Sequence, residues 1–239
     1  MGVPITPLID LANCIICVAC GVQLYRTWSR DRSNMVLLYF AQGYTSLVFS
    51  YLFFSVPRLA APENNLLLGI GFVLAQAFLY GGVAFFAKVP VYFVNRVWVK
   101  RIFLLVVAVS GVAVAMNILF FNRPVYDPVT SLTNWNIHPV VSILSTIIFS
   151  GVLLPSAVFF FLQGRRSRDH DVRRRSFGLT LGLALLIVTA YTYYAAQSPV
   201  IVYISDLLSL CSYLAIFWFV IYRRQSLPHE PSITNSLPI

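Results

Sequence analysis

The stretch QGRRSRDHDVRRR, Gln163–Arg175, sets six arginines between two long apolar runs. In a chain surrounded by lipid, a short basic loop of this kind marks the side that stays in the cytoplasm. Once that side is fixed, the runs before and after it acquire a direction, and the rest of the chain can be counted outward from them.

Lipid is the expected solvent. The chain has 239 residues, of which 59% are hydrophobic and 10% charged, with a mean hydropathy of +0.79. A water-soluble domain carries roughly 25% charged residues. This chain has too little polar surface to cover a globule in water, whereas a bilayer accepts apolar surface directly. The net charge of +9 raises the question of nucleic acid. Its placement, in short loops between apolar runs, argues against that partner and for anionic lipid headgroups.

Seven runs are long enough to span, near residues 8–25, 35–56, 66–87, 102–121, 139–162, 177–195 and 200–222. The expected fold is therefore all-α: a polytopic seven-helix membrane bundle over residues 1–224, followed by a short flexible tail, 225–239. Lys and Arg then divide unevenly. Arg26, Arg30, Arg32, Lys88, Arg96, Lys100, Arg101, the six loop arginines (Arg165, Arg166, Arg168, Arg173, Arg174 and Arg175), Arg223 and Arg224 fall on one side, and Arg58 and Arg123 on the other, a split of 15 to 2. The positive-inside rule gives an outside N-terminus and a cytoplasmic C-terminus. The first run lacks a basic n-region, so it reads as a helix rather than a cleaved signal. The expected location is a cell membrane, the inner one in a bacterium.

Local features refine this picture. The head MGVPIT matches a myristoylation pattern, but an outside N-terminus never meets the cytosolic enzyme, so the match reads as chance. Cys14, Cys17 and Cys20 share a face of span one and read first as small packing residues, with palmitoylation or redox use as the alternative. Trp28, Trp98 and Trp218 read as interfacial anchors. Pro90 is expected to end the helix of span three, leaving Lys88–Arg101 as an amphipathic interfacial piece. Pro155 is expected to kink span five. Gly178 and Gly182, and likewise Gly111 and Ala115, have the spacing that lets helices approach closely within a bundle. The outer loop Asn122–His138 is the candidate lid, with Trp135 a candidate cover.

Polar residues inside the spans gather toward the outer side. Ionisable groups are costly in lipid, near +2.5 to +3.5 kcal/mol at a helix centre. Asp10 and Asp206 are the acids within the runs. Asn13, Asn117, Tyr191 and Tyr194 lie at similar depth, with Gln76 nearer the midplane. Two arrangements produce this pattern: an outward-open pocket lined by Asp10, Asn13, Gln76, Asn117, Tyr191, Tyr194 and Asp206, or a hydrogen-bond network joining helix ends.

Recognisable catalytic patterns are missing. There is no HExxH, GxSxG, Walker A or paired-carboxylate motif, and no histidine has metal-ligand spacing. No enzyme, metal or cofactor is expected. A retinal Schiff base needs a lysine in the last span, which has none. The Pro-Gln pair of triple-helix-repeat sugar transporters is missing too.

Two stretches carry a resemblance, VQLYRTWSRDRSNMVLLYFAQG between spans one and two and SDLLSLCSYLAIFWFVIYRRQSLP at the last helix and its basic exit. They resemble the seven-transmembrane sensor region at the N-terminus of bacterial histidine kinases. The resemblance implies an outward-facing helical sensor. About 17 residues follow span seven, too few for a kinase domain, so the expected output passes to a separate cytoplasmic partner through the arginine loop. The alternative is a small permease for a polar or cationic solute, using Asp10 and Asp206 as coupling sites.

Overall fold

The computed structural model describes residues 5–121, 123–128, 130, 132–195 and 199–221. Seven helices are long and apolar enough to cross a membrane. They are α1 (Ile5–Arg30), α2 (Met35–Ala60), α3 (Asn65–Val94), α4 (Trp98–Leu119), α5 (Pro139–Arg166), α6 (His170–Ala195) and α7 (Pro199–Ile216). The protein is thus an integral membrane seven-helix bundle. Met1–Pro4 of the MGVPIT head, Arg223, Arg224 and the 225–239 tail lie outside the described residues.

The first six helices run longer than the apolar spans, while α7 stops at Ile216, short of the expected 222. Hydropathy detects only the part that crosses hydrocarbon, while backbone hydrogen bonding continues into the polar interface. At 30 residues, α3 is about 45 Å long, well beyond a core of about 30 Å. The expected break at Pro90 does not occur. Pro90 costs α3 one hydrogen bond close to its end, and the helix continues to Val94 before Asn95 turns the chain. Only residues 95–97 connect α3 to α4, so Lys88–Arg101 is two helix ends and a turn rather than a separate interfacial piece. The arginine loop is shortened in the same way. Arg165 and Arg166 belong to the last turn of α5, Arg173, Arg174 and Arg175 to the first turns of α6, and residues 167–169 join them. Likewise α5 runs on through Pro155.

Consecutive helices pack side by side from α1 to α7, and α7 returns to α1, closing the ring. The central helix is α3, which touches α2, α4 and α5. By contrast, α4 is peripheral. Leu104, Leu105, Val112 and Ile118 on it point away from the protein, as residues facing lipid do.

The two glycine pairs have different fates. A Cβ on Gly178 would run into Phe219, and one on Gly182 into Ile216. These glycines set the close crossing of α6 with α7, as their spacing predicts. Gly111 has nothing within 4 Å of where its Cβ would be, and Ala115 is exposed. That pair packs no helix within the chain. Beyond Ile216 the chain continues as a π-helical turn, Phe217–Ile221.

One element is not helical. The α4–α5 connection forms a short antiparallel hairpin, β1 (Val125–Asp127) and β2 (Leu132–Asn134), in register Val125 with Asn134 and Tyr126 with Thr133. It caps one end of the bundle, here called the hairpin end. The opposite end carries the arginines.

Candidate functional site

A cavity of about 100 Å³ opens within the bundle below the hairpin. Every helix except α4 contributes to its wall. It descends from Thr133 and Trp135 past Arg58, Asp206 and Tyr193 to Phe86 and Tyr213. Most of the lining is apolar and aromatic, with a few convergent polar groups, the usual character of a small-molecule site.

The roof is built by the hairpin. After β2, Asn136 takes a left-handed backbone, φ 46°, a conformation asparagine tolerates better than most residues. Its side-chain amide donates to the Arg123 carbonyl at 2.8 Å, and its backbone N–H donates to Asn134 Oδ1 at 3.0 Å. The turn drives Trp135 down into the bundle. Its ring lies 5.1 Å from that of Phe72 and 5.7 Å from that of Phe54, centroid to centroid. The chain then enters α5 at Pro139, with His138 Nδ1 accepting from the Val140 N–H and the His138 ring stacked on Phe120 at 4.0 Å.

Beneath Trp135 sits Arg58, which its sequence position near a loop had placed among the external residues. It is instead on the last turns of α2 and 8% exposed. Its Nε donates to the Phe54 carbonyl at 2.7 Å and Nη1 to Thr6 Oγ1 at 3.3 Å, while Nη2 pairs with the carboxylate of Asp10. The guanidinium also lies 5.3 Å from the centre of the Trp135 ring. An isolated charge in this setting would be very costly; pairing, hydrogen bonding and an aromatic face together make it tolerable. Asp10 is therefore a buried partner of Arg58.

Asp206 stands on α7, on the same cavity wall as Ser205, Ser209 and Val202. It is 9% exposed. Among the described residues no donor reaches its Oδ2. Arg58 acts on it electrostatically, but the arginine's hydrogen bonds go to Phe54, Thr6 and Asp10. The hydroxyls of Ser50 and Tyr193, also on the lining, are likewise buried without a partner.

The sequence-selected polar residues separate into two groups. Asp10, Tyr194 and Asp206 line the cavity. Asn13, Gln76 and Asn117 are buried outside it and connect backbone and helices. Asn13 donates to Ser209 Oγ at 2.8 Å, joining α1 to α7. Gln76 Oε1 accepts from the Tyr194 hydroxyl at 2.8 Å, joining α3 to α6. Asn117 donates back to the Ala113 carbonyl at 3.0 Å. Tyr191 faces outward, half-exposed, against Ser150. Tyr194 belongs to both sets, lining the cavity and donating to Gln76.

Several lining residues escaped the sequence reading: Arg58, Ser50, Tyr193 and the lower pair Phe86 and Tyr213. Arg58 carried a usable signal, since an arginine just past the end of an apolar run can still lie on its helix and turn inward toward an acid on a neighbouring run. The thiols Cys14, Cys17 and Cys20 are all buried and free, packed in the core beside Tyr44, Tyr51 and Tyr213. No family model matches the chain, and no curated protein matches it.

Proposed function

We propose that the protein is a seven-helix receptor or sensor that binds a solute from outside the cell and passes a change of packing to a cytoplasmic partner. The observation that carries this reading is the cavity beneath Trp135, with a buried carboxylate oxygen of Asp206 left without a donor among the described residues. Buried polar atoms are normally satisfied, and exceptions concentrate at sites that engage something else.

The proposed orientation puts the hairpin end outside and the arginine end in the cytoplasm. With Arg58 turned into the bundle, Arg123 is the basic residue left in the connections at the hairpin end, a charge asymmetry that supports this orientation. The arginines hold anionic headgroups at about 1 kcal/mol each and face the partner. The route for the signal is α7. It carries Asp206 and Tyr213 on the cavity wall and ends in the π turn packed on Gly178 of α6, beside the arginines. A ligand that pulls on Asp206 biases that crossing, because close-packed helices shift between discrete arrangements.

A second observation favours transport as the other reading. A smaller apolar cavity of about 20 Å³ lies toward the arginine end, and Phe86, Leu186 and Tyr213 form a wall common to both. Parting of that wall would join the two into a path. The experiment is solute binding and counterflow with the same protein in proteoliposomes. Saturable binding without counterflow supports the sensor, counterflow supports the permease, and no binding of any solute class overturns both. For the cytoplasmic output, cross-linking from positions 165–175 that recovers lipid alone would overturn docking of a partner.

A further inference from the structure

We infer that the cavity selects an amphipathic monocation, an ammonium group on an apolar body, with Asp206 as its counter-ion. This rests on the reading of the cavity as a ligand site and adds the chemical class of the ligand.

The argument begins with charge. The carboxyl and guanidinium side chains on the lining are Asp10, Arg58 and Asp206, two acids and one base, so one acid is left without a basic counterpart. The geometry decides which acid that is. Asp10 is held by Nη2 of Arg58, in a position fixed on three sides by Thr6, Phe54 and Trp135. Asp206 has the orphan oxygen. A buried carboxylate is tolerable in a low-dielectric setting when a cation neutralises it. Arg58 cannot serve both acids equally while it is anchored to the first.

The surroundings favour an organic cation over a small inorganic one. Apart from the charged trio, the walls offer mainly aromatic rings and aliphatic side chains, with Tyr51, Phe54, Phe149, Tyr193 and Tyr213 among them. A metal ion demands several oxygen ligands, and no group of acids, histidines and cysteines able to hold one is found among the described residues. An ammonium with an apolar body instead pairs with the carboxylate and meets ring faces, while its carbon skeleton fills the lower cavity. The hydroxyls of Ser50 and Tyr193 are available as acceptors for its remaining N–H groups. An anion of the same shape would meet an acid with no base to balance it, and a neutral alcohol would offer Asp206 no counter-charge.

The test is calorimetric binding to the full chain in nanodiscs, corrected with protein-free nanodiscs. The probes are primary alkyl- and arylammonium ions of increasing length, each beside its isosteric alcohol and its carboxylate. The best ammonium ion is expected to bind on the order of tenfold tighter than its alcohol, with the carboxylate weakest. Asp206→Asn should erase that advantage, and Asp206→Glu should retain it. Equal binding of alcohol and ammonium ion, tightest binding of the carboxylate, or an advantage that survives Asp206→Asn would overturn the monocation and leave the ligand site standing. No binding by any member of the series would overturn the ligand site itself. If Asp206→Asn fails to fold, the wild-type series and Asp206→Glu still decide the charge class.

Discussion

Arg58, near the end of α2, reaches across to α1 and pairs with Asp10, and the pair forms part of the cavity wall directly beneath Trp135. Removing one partner leaves a buried charge alone. Arg58→Met is therefore expected to destabilise the protein by about 3–5 kcal/mol. Asp10→Leu combined with Arg58→Met should recover most of that loss, since two apolar side chains carry no desolvation penalty. Unfolding midpoints in detergent, taken through the double-mutant cycle, check this; additive losses would mean that the pair is not coupled.

Asp10→Asn makes a different demand. It frees Arg58 from its partner while keeping the side-chain shape, so Arg58 becomes available to compensate Asp206. The preference for an ammonium ion over its alcohol should then fall by about tenfold, although Asp206 itself is untouched. An unchanged preference would show that the two acids do not share the arginine.

The glycines at the α6–α7 crossing should behave oppositely to the one on α4. Gly182→Ala places a methyl group against Ile216 and is expected to cost about 1–3 kcal/mol through overpacking. Gly111→Ala meets nothing within 4 Å and should be neutral or stabilising by up to about 1 kcal/mol, because alanine is the better helix former. Thermal unfolding of the two variants side by side decides. A costly Gly111→Ala would reveal a helix contact that α4 makes with another molecule.

Phe86 reports on the wall between the two cavities. Gly43 on α2 leaves room for its ring, and a Cβ there would collide with that ring. Gly43→Ala should displace Phe86 and alter solute binding or counterflow, with a stability loss of about 1–3 kcal/mol. Binding and flux that both stay at wild-type values would remove Phe86 from the path.

Trp135 should act as a cover. Trp135→Ala is expected to speed labelling of Ser205→Cys by a membrane-impermeant thiol reagent in a Cys211→Ser background, since Cys211 is exposed while Cys14, Cys17 and Cys20 are buried in the core. Equal labelling rates with and without the indole would show that the route to Ser205 does not pass beneath the hairpin.

The bare sequence already showed seven helices able to cross a membrane, their order, and which connections collect the arginines. These follow from hydropathy and charge summed along the chain, which need no knowledge of neighbours. It also brought forward Asp10, Tyr194 and Asp206, because a polar group inside an apolar run is conspicuous wherever it points. Where such groups point came from the packing of the helices alone. Successive residues turn about 100° around a helix axis, so a small change in how a helix is rotated against its neighbours moves a side chain from lipid to cavity or to another helix. That is why Tyr191 faces outward and Tyr194 inward, why Asn13 and Gln76 join helices instead of lining the cavity, and why Arg58 sits beside Asp10 rather than in a loop. The hairpin that lowers Trp135 onto that arginine depends on strand register and on the backbone of Asn136, and hydropathy contains neither.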